Sequence, residues 1–182
     1  MTSRRASGQR GFTLIEIMVV VIMIGFIAAT IMVKTGAFSK GEENLREQVR
    51  RFNVLRNLAW EQAQIEGRSI GIQIETDRYA FYSYDPLTRQ WTEMGVDNDL
   101  FRSRELEAGI ELDLRMENQS VELPKADEED GGLNVNPQVL LLASGEVTPF
   151  ALYARADFSD VDVELVVDPL GETELIEHDR GF

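Results

Sequence analysis

The stretch RGFTLIEIMVVVIMIGFIAATIMVK, residues 10–34, decides the fold of the N-terminal part of the chain. Between Phe12 and Val33 only Glu16 is charged. As a helix this segment would be about 33 Å long, enough to cross the roughly 30 Å hydrocarbon core of a bilayer. A secretory signal peptide has a shorter apolar core of about 7–15 residues, so the pattern favours a membrane-spanning helix.

Three arginines precede the apolar stretch without any accompanying acid: Arg4, Arg5 and Arg10. The positive-inside rule then predicts a cytoplasmic N-terminus, with Lys34 and everything after it across the membrane. A carboxylate costs about 2.5–3.5 kcal/mol at the bilayer centre and less near an end. Two explanations fit Glu16: its side chain snorkels to the interface, or it has a specific cationic partner.

The residues around Glu16 resemble the class III signal of type IV prepilins and type II secretion pseudopilins. GFTLIE places Gly11 after a short basic leader, Phe12 next, and Glu16 fifth from Phe12. In that family the prepilin peptidase cuts between the residues matching Gly11 and Phe12 and N-methylates the new terminal phenylalanine. The resemblance implies a cleaved leader over residues 1–11 and a transmembrane assembly helix over 12–34.

Cleavage would create an α-ammonium on Phe12 at the membrane boundary. Such a cation needs a partner where the dielectric constant is low. Glu16 lies one helical turn further on and can pair with the ammonium of its own chain. The resemblance implies pairing with a neighbouring subunit during assembly.

The helical period returns after the apolar stretch, and we expect residues 35–67 to continue the helix as an amphipathic segment. One line of apolar residues is predicted to pack on the chain's own globular domain: Leu45, Val49, Phe52, Leu55, Ala59 and Ala63. A second line, Val54, Leu58 and Ile65, lies on a different side. One face is predicted to pack on the sheet and the other to contact neighbouring subunits, and the sequence leaves open which residues do which. Gly67 is predicted as the C-cap.

From Ser69 onward the apolar period changes to two, which is typical of strands. The predicted strands are SIGIQIE, RYAFYSY, IELDLRM, DVDVELVV and ETELIEH. Type I turns are predicted at DPLT, residues 85–88, and DPLG, residues 168–171. PQVLLLASGEVTPFALYA reads as a hairpin about Ser144 and Gly145. The fold class is therefore α+β, with a long N-terminal helix packed on an antiparallel sheet or sandwich over residues 68–182.

VLLLASGEVTPFALY also resembles the C-terminal region of H-type minor pseudopilins of type II secretion, where an apolar strand, a Gly-containing turn and a Thr-Pro-Phe strand recur. The total length agrees with that type. The resemblance implies a pilin-like fold and a structural subunit of a pseudopilus, not an enzyme.

The overall composition restricts the possible functions. The chain of 182 residues is 43% hydrophobic and 27% charged, with a formal net charge of −14. Without residues 1–11 and their three arginines, 15 basic side chains face 32 acidic ones, a net of −17. Such a body repels nucleic acid. There is no cysteine, which excludes disulfides and thiolate chemistry.

Other polar groups do not form a recognisable catalytic or metal motif. The acids at residues 127–130 are consecutive and lack the alternating spacing of a calcium loop, so a solvated loop is favoured over a cation site. His178 is predicted to be a surface residue, and Trp60 and Trp91 to serve packing. We expect neither cofactor nor metal.

The resemblance implies a minor pseudopilin that helps to export folded proteins across the outer membrane of a Gram-negative bacterium. Implied partners are the prepilin peptidase, the major and other minor pseudopilins, the inner membrane and the secreted exoproteins; nucleic acid is not expected. The alternatives are a minor pilin of a type IV pilus, or a signal-anchored periplasmic enzyme or binding module.

Overall fold

The computed structural model describes residues 14–96, 98–117, 119–124, 135–157 and 159–180. One helix, α1, spans Leu14–Glu66. The chain divides into two compact units, Met1–Ala37 and Phe38–Phe182.

The described residues of the second unit form ten strands and two short 3-10 helices, Met94–Val96 and Asp99–Phe101. The strands are β1 Ile70–Ile74, β2 Arg78–Asp85, β3 Gln90–Glu93, β4 Arg104–Glu105, β5 Ile110–Met116, β6 Gln119–Val121, β7 Val139–Leu141, β8 Phe150–Ala156, β9 Val161–Val167 and β10 Thr173–Asp179.

The strands form two antiparallel sheets. The first has the order β3-β2-β1-β7, with β4 paired to one end of β2. The second has the order β10-β9-β8-β5-β6. The predicted α+β class with antiparallel sheets is therefore confirmed. The short strands β3, β4 and β6 were not predicted, because two to four residues are too few to show an alternating pattern.

The last part of α1 completes the core between the two sheets. Phe52 contacts Tyr79 of the first sheet edge-to-face at 5.0 Å between ring centroids. It also contacts Phe150 of the second sheet at 6.4 Å. The helix ends in a left-handed Gly67 with φ +64°, and the Arg68 amide donates to the Ala63 carbonyl at 3.1 Å. This is the predicted glycine C-cap.

The predicted hairpin about Ser144 and Gly145 is present but short. Leu141 pairs antiparallel with Val147, and the Thr148 amide donates to the Leu140 carbonyl at 2.9 Å. The turn is present, since the Gly145 amide donates to the Leu142 carbonyl at 2.9 Å. However, β7 pairs with β1 in the first sheet, whereas β8 pairs with β5 and β9 in the second. Pro149, which has no amide hydrogen, lies between the turn and β8 and cannot extend the local ladder. The chain therefore changes sheets here.

Candidate assembly surface

The start of α1 exposes its apolar side chains on all sides. Exposure ranges from 46% at Val20 to 79% at Leu14. The exposed large apolar residues here are Leu14, Ile15, Ile17, Met18, Val19, Val20, Val21, Ile22, Met23, Ile24, Phe26 and Ile27. Apolar surface of this extent marks a region that contacts lipid or another protein.

Within the described part of the chain, no helix combines the length and the apolar character required of a membrane span.

Glu16 lies in the first turn of α1 and its side chain is exposed. A carboxylate at this end of a helix interacts favourably with the helix dipole. Gly11 and Phe12, the two residues of the predicted cleavage site, lie outside the described residues, so no distance joins them to Glu16.

The part of α1 in the second unit has two different faces. Leu45, Val49 and Phe52 are at most 2% exposed and belong to the core. Leu55, Ala59 and Ala63 are buried with them. On the opposite side, Val54 is 57% exposed, Leu58 39% and Ile65 84%. The second face therefore takes no part in the core of the unit and presents apolar groups to solvent.

A buried arginine interrupts the apolar face of the helix. Arg56 is fully buried, and its Nη2 donates to the Gly171 carbonyl at 3.2 Å. Its Nε and Nη2 also donate to the Asn53 side chain at 3.3 Å, and Nη2 donates to the Asn57 side chain. Burial lowers the pKa of Arg56 to about 10, against the opposing attraction of Asp168. The guanidinium therefore stays charged at neutral pH.

Sequence reasoning missed Arg56 because the buried stripe was read from apolar residues alone. Arg56 lies four residues after Phe52, on the same face of the helix. A charged residue in register with a core stripe is the signal that could have found it.

Trp60 holds two glycine turns against the helix. Its indole Nε1 donates to the Gly145 carbonyl at 3.1 Å. A Cβ added to Gly171, where φ is +81°, would lie 3.1 Å from the Trp60 ring. The two turns are also joined directly, since the Val147 amide donates to the Pro169 carbonyl at 3.1 Å. Trp60 thus packs against backbone, in agreement with its predicted role.

Trp91 also packs within the unit. Its ring lies 5.0 Å from that of Tyr84, and a Cβ on Gly71 would lie 3.0 Å from the indole. This placement agrees with the predicted packing role, because both neighbours belong to the same sheet as Trp91.

The outer face of the second sheet carries a polar cluster. His178, predicted as a surface residue, has a 47% exposed side chain, and its Nε2 lies 2.5 Å from the Glu164 carboxylate. The hydrogen bond to Glu164 raises the pKa of Tyr153. Arg115 lies over the Tyr153 ring at 4.2 Å from its centroid. The hydrogen bonds and the ring contact of these side chains connect neighbouring strands of the second sheet. The acids at residues 127–130 lie outside the described residues.

Comparison with known proteins finds matches both for the N-terminal apolar segment and for most of the chain. Residues 6–32 match the family model described as the prokaryotic N-terminal methylation motif. The chain is 31% identical to type II secretion system protein H of Pseudomonas aeruginosa over 79% of this chain and 81% of that protein. It is 27% identical to the protein of the same name from Aeromonas hydrophila over 97% and 98%.

A solved structure supports the fold. The minor pseudopilin EpsH from the type 2 secretion system of Vibrio cholerae is similar, with a TM-score of 0.60 and 21% identity. The similarity covers 73% of this chain and 95% of that one.

Proposed function

This chain belongs to the type II secretion system protein H family and is a minor pseudopilin, and from that premise we propose how its parts work. The observation that carries the proposal is the methylation motif over residues 6–32, which includes Gly11, Phe12 and Glu16 in one order. The named relatives favour a secretion pseudopilus over the minor pilin of a type IV pilus.

Maturation is proposed to occur between Gly11 and Phe12. The prepilin peptidase removes residues 1–11 and N-methylates Phe12. The new α-ammonium then pairs with the carboxylate of Glu16, because a terminal cation at a membrane boundary needs an opposite charge nearby. Supporting this role, Glu16 lies in the first turn of α1, close in sequence to the new terminus.

Family membership and the methylation motif imply an anchor in the inner membrane. In the proposed topology, residues 12–34 span that membrane once. The arginine-rich leader lies in the cytoplasm and residues 68–182 lie in the periplasm. The exposed apolar side chains at the start of α1 support this arrangement, since lipid would cover them.

The protein is proposed to act as a structural subunit rather than an enzyme. After maturation the apolar start of α1 leaves the bilayer and joins the helices of the major and other minor pseudopilins. Residues 35–67 continue that helix into the periplasmic domain, where Leu45, Val49 and Phe52 pack on the sheets and Val54 and Leu58 contact the neighbours. Growth of the stack would push folded exoproteins toward the outer membrane.

Intact-mass analysis of the protein from its own membrane tests the maturation step. The expected mass is that of a chain beginning at N-methylated Phe12. A chain that still begins at Met1 would contradict the proposal and favour a signal-anchored periplasmic protein.

Replacement of Glu16 by leucine tests the charge pair. Insertion and cleavage should be normal because the apolar segment becomes more apolar, whereas incorporation into the pseudopilus should be lost. Glu16→Gln is the matched control for side-chain shape and should fail in the same way. Normal incorporation of both variants would refute the pairing.

A further inference from the structure

We propose that the free edge of β10, the side turned away from β9, binds an extended segment of another protein as an additional antiparallel strand. The segment has apolar residues at its centre and one basic residue at each end. No helix takes part in this contact, so it goes beyond the proposed function and does not depend on it.

The backbone of β10 is bonded on one side only. Its ladder with β9 is regular, from the Asp168 amide, which donates to the Glu172 carbonyl at 3.1 Å, to the Arg180 amide, which donates to the Asp160 carbonyl at 2.8 Å. In an antiparallel ladder every second residue turns its N–H and C=O away from the partner strand. In β10 these residues are Thr173, Leu175, Glu177 and Asp179. No backbone group of the described residues pairs with them on that side.

The other ends of the two sheets differ from β10. β3 has four residues, and β6 and β7 have three each, whereas β10 has seven. β7 is also covered, because Leu141 pairs with Val147. Folded proteins usually keep their edge strands short or cover them. A long, regular and uncovered edge therefore indicates a place where a further strand is added.

The helix α1 leaves this edge accessible, because it reaches β10 through side chains alone. Arg46 donates to Glu177 at 2.8 Å, and the Asn53 amide donates to the Thr173 hydroxyl at 3.5 Å. Leu175, which lies between these two contacts, is 38% exposed. A strand from another chain can therefore reach the backbone of β10 while the second unit is folded.

The side chains of β10 define the chemistry of the partner. Leu175 and Ile176 lie at the centre, with Glu174 before them and Asp179 after them. Glu174 and Asp179 form no ion pair with a described residue, whereas Glu177 is already bonded to the helix. Opposite charges directly across two strands stabilise the pair, and like charges destabilise it. The partner therefore needs a base beside each free acid and apolar groups between them.

An antiparallel partner has these residues in one order. Antiparallel pairing is the more stable kind per residue, and all the described strand pairs are of this kind. Read from its amino end, the segment has a base, two neutral residues, two apolar residues and a second base. In that order they lie opposite Asp179, His178, Glu177, Ile176, Leu175 and Glu174.

A second copy of this chain fits the edge less well. In the symmetric antiparallel register centred on Ile176, Leu175 lies opposite Glu177, and Asp179 lies opposite Thr173 rather than a base. The formal net charge of −14 on each chain also opposes their approach.

Two peptides with blocked ends test the charge pattern: Lys-Thr-Thr-Val-Val-Lys, and the same peptide with glutamate at both ends. Each is titrated into the full-length protein in detergent at low ionic strength, and binding is followed by calorimetry. We expect the lysine peptide to bind about fivefold more tightly. The double variant Glu174→Lys with Asp179→Lys should reverse that preference. Glu61→Lys with Asp99→Lys makes the same change in net charge outside β10 and should keep it.

Leu175→Pro tests the backbone contact. It removes an amide that points to the free edge and leaves the ladder with β9 intact, because proline is tolerated at such positions of an edge strand. Binding of the lysine peptide should weaken about fivefold, whereas Leu175→Ala, which keeps the amide, should weaken it less than about twofold. Circular dichroism checks the fold. If Leu175→Pro unfolds the protein, the charge-reversal variant, which keeps the backbone unchanged, decides the question.

Three outcomes would overturn the proposal. The first is equal binding of both peptides by the parent protein, and the second is an unchanged preference in the Glu174→Lys and Asp179→Lys variant. The third is a dimer in sedimentation that Leu175→Pro dissociates, which would assign the edge to a second copy. Each of them leaves the proposed function intact, because that function is tested by the methylated Phe12 terminus.

Discussion

The two described parts of α1 use apolar residues in different ways. Between Leu14 and Ile27 the large apolar side chains are exposed all around the helix. Between Leu45 and Ala63 only one face is buried, and it is apolar apart from Gln48 and Arg56. A helix that is apolar on all sides needs surroundings that are apolar on all sides, whereas an amphipathic helix needs one partner surface. The two parts of α1 therefore need different surroundings.

Each part also carries one charged residue in an apolar setting. Arg56 is fully buried and bonds to the Gly171 carbonyl of its own domain. Glu16 lies in the first turn of the helix, and its proposed partner is created by cleavage. For Arg56 the fold itself supplies the partner. For Glu16 we propose that maturation and assembly supply it.

Three leucines of the same helix test the contrast between its parts. We expect Leu55→Ala to lower the free energy of unfolding of the second unit by about 2–5 kcal/mol, because Leu55 is only 4% exposed. Leu58→Ala should cost less than about 1 kcal/mol, and Leu14→Ala should leave that unit unchanged within about 0.5 kcal/mol. Urea unfolding in detergent, followed by tryptophan fluorescence, measures all three. Equal losses at Leu55 and Leu58 would show that the two faces are not distinct.

Arg56→Ala is expected to have the next largest effect, a loss of about 2–4 kcal/mol in the free energy of unfolding. The substitution leaves the Gly171 carbonyl without this donor and opens space beside the two glycine turns. Arg50→Ala, on the exposed face of the same helix, is the matched control and should change stability by less than about 0.5 kcal/mol. If Arg56→Ala leaves the free energy of unfolding unchanged, the buried charge is not integral to the packing of the helix.

The smallest expected effect concerns the ion pair between Arg46 of α1 and Glu177 of β10. Arg46 donates to Glu177 of β10 at 2.8 Å, and this bond lowers the pKa of Glu177 below its ordinary value of 4.5. The pair is partly exposed, so Glu177→Gln should cost about 0.2–1 kcal/mol at pH 7. Because the pKa of Glu177 is lower in the folded protein than in the unfolded one, the pair stabilises the fold at pH values above the unfolded-state pKa. This stabilisation is lost as the pH falls through the lower folded-state pKa.

Unfolding of Glu177→Gln and the parent protein at pH 7 and near pH 3 checks this sign. The difference in the free energy of unfolding between the two proteins should be smaller near pH 3 than at pH 7. Glu174→Gln, on the same strand, is the control and should show little effect at either pH, because Glu174 forms no ion pair with a described residue. A difference that grows as the pH falls would contradict the assignment.

Much of the fold was predictable because periodicity follows from geometry. The alternation of Ile70, Ile72 and Ile74 indicated a strand with one buried face, and all three are at most 2% exposed. The turn at residues 168–171 was predicted from Asp-Pro-Leu-Gly, and the Gly171 amide donates to the Asp168 carbonyl at 3.0 Å. These are local signals, in which the residues that decide the structure are neighbours in the chain.

The errors occurred where distant segments decide the outcome. The Ser144–Gly145 turn looks like any hairpin turn, yet its two flanking strands lie in different sheets. Arg56 was not singled out from the sequence, and its acceptor, the Gly171 carbonyl, is more than a hundred residues away. No local pattern identifies the sheet that each strand joins or the carbonyl that accepts from Arg56.

The sequence by itself determined the apolar start of α1, the motif around Gly11, Phe12 and Glu16, the strands with strict alternation and the glycine that ends the helix. Each depends on residues within a few positions of one another. Only the tertiary structure decided how the strands divide between two sheets, which helix face is buried and why a buried arginine is tolerated. Those outcomes depend on burial and on hydrogen-bond partners that chain folding brings together from remote positions.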